Sequence, residues 1–118
     1  MQSKCETDVR RVADCAVIEI RGEVDGSAAA VLSAAYEGAV ATGSPSCVLL
    51  DFARVDYINS TGIALIVSVL ARARADGRQV IASGLSDHYR QIFAITRLSD
   101  FIQLYHDIDS AAAGVVVA

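Results

Sequence analysis

Two adjacent hydroxyl side chains, Ser60 and Thr61, stand where the run YINSTGIALIVSVLARARADG (residues 57–77) passes from strand-like to helical character. Hydroxyls at such a point can cap a helix, attack a carbonyl or accept a phosphoryl group. Attack is disfavoured. Gly62 follows Ser60 by two places, but Ile58 precedes it by two, so the G-x-S-x-G turn that exposes a nucleophilic serine is broken. No histidine follows in a triad context. Capping by Asn59 or Ser60 fits the composition of a helix start. Phosphoryl acceptance fits as well, because a first turn offers unpaired backbone N–H groups and the positive end of the helix dipole. A phosphate on Ser60 would bring close to two negative charges to the surface around the helix start, and a docked partner would lose contact there without the fold being disturbed.

Other chemistry finds less support. Glu23 with Asp25, Asp51 with Asp56 and Asp107 with Asp109 are carboxylate pairs near loops or element ends, where capping and solvation explain them. A catalytic acid–base pair would need burial in a cleft. The phosphate-cradling patterns G-x-x-x-x-G-K-[ST] and G-x-G-x-x-G are missing. His88 and His106 have no second ligand at useful spacing, so no metal is expected. Cys5, Cys15 and Cys47 show no C-x-x-C spacing, and Cys15 and Cys47 lie in apolar strand-like runs; buried thiols are expected. No enzymatic activity and no cofactor are expected.

The elements that position the hydroxyl pair are legible from periodicity. VRRVADCAVIEIRG reads as two strands with a turn near Ala13-Asp14. DGSAAAVLSAAYEGAVATG reads as a helix capped by Asp25 or Ser27 and stopped by Gly43. SCVLLDF is an apolar run of strand length, as in a strand covered on both faces. The helix from Asn59 or Ser60 runs to about Asp76, with Gly77 as its stop. Its residues Ile63 to Ala71 are apolar nearly all the way round, which implies burial on more than one side and leaves room for a weak homodimer. RQVIASG is a strand, SDHYRQIFAITRL a helix capped by Ser86, FIQLY a short strand and DIDSAAAGVV a last helix. Strands alternating with helices give an α/β fold with parallel neighbours, and the opening hairpin makes the sheet mixed.

Bulk composition narrows the class. The 118 residues suffice for one core, and 53% hydrophobic content with a single proline argues against disorder. Ten basic against fourteen acidic residues, a net charge of −4, disfavour nucleic acid as a partner. No stretch approaches the roughly 18 unbroken apolar residues of a membrane span, and the charged N-terminus lacks an apolar signal region. A soluble, cytoplasmic protein without membrane insertion is expected.

The order of several motifs resembles the STAS domain family, and more narrowly the bacterial anti-sigma factor antagonists. The carriers are GEVD at 22–25, LLDFARVDYINSTGIALIV at 49–67, the G-x-x-V-x-x-S-G trace at 77–84 and FAITRLSDFI at 93–102. The resemblance spans about residues 5–115, and implies a single STAS-like domain over residues 1–118, a mixed but mostly parallel sheet of about four to five strands, and about four helices. In that family the non-phosphorylated antagonist binds an anti-sigma factor that is also a serine kinase, phosphorylation ends the binding, and a PP2C-type phosphatase restores it. By position, Ser60 matches the acceptor, with Thr61 as second choice, and Gly62 matches the family's glycine. Asn59 takes the place usually held by aspartate, and Arg97 stands where glycine is frequent. Glu23 and Asp25 match the loop beside the acceptor, so Glu23, Asp25, Asn59, Thr61 and Gly62 are the implied partner-binding residues. STAS domains also serve as accessory subunits of a lipid-transport ATPase complex, as tails of anion transporters or as non-phosphorylated scaffolds; these are the competing expectations.

Overall fold

The computed structural model describes residues 4–41 and 43–117. The chain runs β1 (Cys5–Val12), β2 (Cys15–Val24), α1 (Ala29–Ala41), β3 (Cys47–Ile58), α2 (Ser60–Ala75), β4 (Gln79–Ser83), α3 (Asp87–Ile95), β5 (Gln103–Tyr105) and α4 (Ile108–Val117), with 3-10 turns at Gly26–Ala28 and Leu98–Asp100. The strands lie in the order β1-β2-β3-β4-β5. β1 and β2 are antiparallel and every later pairing is parallel. The expected mixed, mostly parallel α/β sheet is therefore what forms.

Because the parallel strands advance in one direction, right-handed crossovers carry α1, α2 and α3 to the same face. Strand alternation sorts the apolar residues accordingly. Ile18 and Ile20 of β2, Val48, Leu50 and Phe52 of β3, and Val80 of β4 meet Tyr36 of α1, Ile66 and Leu70 of α2, and Phe93 of α3 in the main core. Cys15, Val17, Cys47, Leu49 and Ile81 face the other way, where Ala111 and Ile108 of α4 cover them. With both faces buried, β2 and β3 need the near-continuous apolar runs seen in their sequences.

β3 outruns β4. Its pairing with β4 spans Cys47 to Asp51, while its later residues pair only with β2, so that Arg54 to Ile58 and Arg21 to Val24, with the start of β1 on the outer side of β2, form an arm beyond β4. Two register shifts interrupt that arm, one on each side of Gly22 (φ +89°), and they re-aim Glu23. The first turn of α2 is pressed against the arm's end. A Cβ on Gly62 would fall 2.0 Å from the Val24 carbonyl oxygen, 2.8 Å from its carbon and 3.1 Å from Ile58 Cγ2. Tyr89 of α3 holds the arm from beneath, its hydroxyl accepting the Ile58 N–H at 2.9 Å.

One sequence expectation is corrected. Cys15 and Cys47 are in-register neighbours on parallel strands, with Cα atoms 4.5 Å apart, and they form a disulfide rather than two separate thiols; Cys5 is buried and lies outside that bridge. Composition could not reveal a pairing that depends on strand register. Within this one chain α2 buries Gly62, Ile66, Val69, Leu70 and Ala73 and leaves Ala64, Val67 and Ala71 exposed. Its alanine-rich outer side is apolar without being covered.

Arg97 occupies a backbone position that glycine would adopt more readily. It adopts φ 66° and ψ 13°, left-handed backbone that disfavours any residue with a Cβ by about 1–2 kcal/mol. Its ion pair with Asp100 (2.7 Å) is exposed and offsets little of this. Arg97→Gly should therefore raise stability by a net of about 0.5–1 kcal/mol after the added freedom of the unfolded chain, seen as a rise of a few degrees in Tm. Gly62→Ala should do the reverse. The clash is with main chain that cannot rotate away, so a loss of about 1–3 kcal/mol is expected in a denaturant titration.

Candidate functional site

Asn59 lies at the junction of arm and helix. Its N–H donates to the Val24 carbonyl (3.2 Å), its carbonyl accepts from Ile63 N–H (2.9 Å), and its side-chain Oδ1 accepts from Gly62 N–H at 2.8 Å. Asn59 is thus the N-cap of α2, a role for which asparagine serves as well as aspartate. Ser60 and Thr61 follow in the first turn and are both exposed. Among the described residues no acceptor meets the Ser60 or Thr61 N–H. The Ser60 hydroxyl is accordingly open to solvent beside unpaired donors, at the positive end of a 16-residue helix.

The GEVD loop comes to the same place. Val24 pairs with Ile58, Glu23 with Tyr57, and a Cβ on Gly26 would lie 3.5 Å from the Thr61 methyl group. Asp25 caps the following 3-10 turn, accepting from Ser27 N–H (2.9 Å) and from the Ser27 hydroxyl (2.5 Å). Those two donors hold its carboxyl below the usual carboxylate range, the hydroxyl contributing most. Glu23 forms an exposed ion pair with Lys4 at 3.4 Å. All six residues singled out from the sequence (Glu23, Asp25, Asn59, Ser60, Thr61 and Gly62) therefore gather at one end of the molecule.

Two contributors escaped sequence reading. Tyr57, 50% exposed, stands on the arm in register with Glu23 and presents a large aromatic surface next to the hydroxyl pair. Tyr89 stands among the apolar side chains of its helix, and its hydroxyl accepts the Ile58 N–H just ahead of the site. Only the unpaired stretch of β3 beyond β4 creates the need for that bond, and no local sequence signal marks it.

The remaining carboxylates go elsewhere. Asp51 is buried on the α4 face of the sheet, where its Oδ1 accepts from Ala53 N–H at 3.0 Å. With His106, Asp107 and Asp109 it lines a cavity of about 300 Å³. Asp107 caps α4 through the Ser110 N–H (2.8 Å), which lowers its pKa. No group of three or more His, Cys, Asp or Glu among the described residues is disposed to hold a metal ion. No helix among them is long and apolar enough to cross a membrane.

Comparison with known proteins gives the family. The family model described as "Mlab, STAS domain" matches residues 7–105. The anti-sigma-B factor antagonist of Listeria monocytogenes is 33% identical over 88 residues, covering 74% of this chain and 75% of that protein. The crystal structure of an anti-sigma factor antagonist from Mycobacterium paratuberculosis superposes with a TM-score of 0.74 at 25% identity, covering 97% of this chain and 95% of that one. The Bacillus cell fate determinant SpoIIAA in its phosphorylated form superposes with a TM-score of 0.71 at 21% identity, covering 92% and 98% of the two chains. The protein belongs to the STAS domain family, and within it to the anti-sigma factor antagonists.

Proposed function

We propose that the protein is a partner-switching antagonist whose non-phosphorylated form binds an anti-sigma factor serine kinase, and that phosphorylation of Ser60 ends the binding. Thr61 is the second-choice acceptor. The observation that carries this reading is the exposed Ser60 hydroxyl on the first turn of a helix fixed to the sheet through Gly62 and Asn59. A phosphate there meets unpaired N–H groups of its own backbone and leaves the core untouched. Glu23, Asp25, Asn59 and Thr61, joined by Tyr57, surround the acceptor and form the surface that the kinase would cover, while Gly62 is buried beneath it and positions the helix start. A PP2C-type phosphatase would return the protein to its binding form. The role is regulatory rather than enzymatic, and a cytoplasmic location suits a partner that consumes ATP. The name of the Listeria relative supports an anti-sigma factor as the partner class. The phosphorylated SpoIIAA structure supports a phosphate state that keeps the fold.

The cognate kinase, purified with the protein from its native cell, provides the test. Incubation with ATP followed by phosphopeptide mapping should place the phosphate on Ser60, and phosphate found only outside residues 60 and 61 overturns the mechanism. Ser60→Ala should keep kinase binding, whereas Ser60→Asp should weaken it roughly a hundredfold by setting an unpaired charge into a desolvated interface. The Tm of Ser60→Asp should stay close to that of the parent, because a carboxylate at a helix start is tolerated or stabilising. Recovery of a transport ATPase in place of a kinase would assign the protein to an accessory subunit. Equal binding by both variants would leave a non-phosphorylated scaffold.

A further inference from the structure

The uncovered side of α2 forms one wall of an apolar groove at the far end of the helix from Ser60. Its volume is about 510 Å³, within the range of roughly 300–1,000 Å³ that small-molecule sites occupy. Leu70 and Leu98 are its most buried lining residues, 5% and 6% exposed, while Val67 at 41% and Phe101 at 53% leave large apolar surfaces open to solvent. Ala71 completes the apolar lining. Two polar groups remain. The Thr96 hydroxyl already donates to the Ile92 carbonyl at 2.7 Å. The guanidinium of Arg74 lies 5.1 Å from the centroid of the Phe101 ring.

Arg74 brings the groove its charge. It is the charged residue in the groove's lining, and among the described residues no carboxylate pairs with it, whereas its neighbours Arg72 and Arg78 both have acidic partners. Stacking on Phe101 restricts its side chain without neutralising it. An apolar trough with a single oriented, unpaired cation complements a molecule that has a hydrocarbon body and one anionic end. The guanidinium fork matches a carboxylate in two parallel hydrogen bonds.

We propose that this groove binds one long-chain fatty acid, its carboxylate on Arg74 and its chain along Val67, Leu70, Leu98 and Phe101. The site is separate from the hydroxyl site and does not depend on phosphorylation of Ser60. Sodium laurate, kept below its micelle concentration, is titrated into the full chain by calorimetry and by amide NMR. Saturable binding of one laurate is expected, with shifts confined to the second half of α2 and residues 96–101. Arg74→Gln should weaken it by about tenfold, the worth of hydrogen bonds to a charged group. Dodecan-1-ol, which has no charge, should bind parent and variant equally weakly. Arg74 is exposed, and unchanged circular dichroism of the variant will separate lost binding from lost fold. The proposal is overturned by absence of saturable binding, by shifts elsewhere, by an Arg74→Gln variant that binds as the parent does, or by binding to anionic vesicles in place of monomeric laurate.

Discussion

The van der Waals contact between the first turn of α2 and the Val24 carbonyl fixes the geometry of the functional end. Only a residue without a side chain allows the helix to come so near, since a Cβ on Gly62 would overlap backbone atoms. The contact fixes where α2 begins relative to β2, and the Asn59 N–H bond to that same carbonyl ties down the turn between strand and helix. The GEVD loop, which continues directly from Val24, is thereby set beside the hydroxyl pair. Two segments distant in sequence thus share one surface because one glycine lets their backbones meet.

What was readable in the sequence was largely local. Caps, helix stops and the alternation of strands with helices depend on neighbours within a turn or two, and Asn59, Ser86 and Gly77 all act where their types suggest. Asp25 was legible as a cap and as a member of the loop. It caps a 3-10 turn ahead of α1, so a short transition separates it from the helix proper. Non-local facts were hidden. The Cys15–Cys47 disulfide depends on parallel register, and the bond from Ile58 to Tyr89 depends on β3 running past β4. The open side of α2 was hidden for another reason. Alanine and valine look alike on covered and uncovered helix faces, so an apolar helix does not report how many neighbours it has.

The two faces of the sheet divide the labour. Three helices and the larger aromatic side chains pack on one face, and that packing carries the site's framework, from Phe52 against Phe93 to Tyr89 under Ile58. The other face has α4, the disulfide and the buried Asp51. The hydroxyl pair itself sits on α2, which packs on the first face. Substitutions on the second face should reach the site only through global stability, while those at Gly62, Asn59 or Tyr89 act on its shape directly.

A charge added at Ser60 would act very differently before and after a partner docks. In open water two unit negative charges about 4 Å apart repel by roughly 1 kcal/mol, further reduced by salt, and a phosphate beside an exposed carboxylate would fall in this regime. The helix dipole returns a similar amount, about 0.3–1 kcal/mol, so the free protein is nearly indifferent. Once a partner covers the site, the effective dielectric falls toward about 20 and the same repulsion grows to about 4 kcal/mol, added to the desolvation of the phosphate itself. The difference between the two environments gives such a switch its force. It requires a hydroxyl that is exposed when the protein is alone and covered when it is bound, on a backbone too firmly held to relax around the new charge; the exposed Ser60, one residue after an N-cap and two before a glycine locked against a strand, meets the first and last of these conditions.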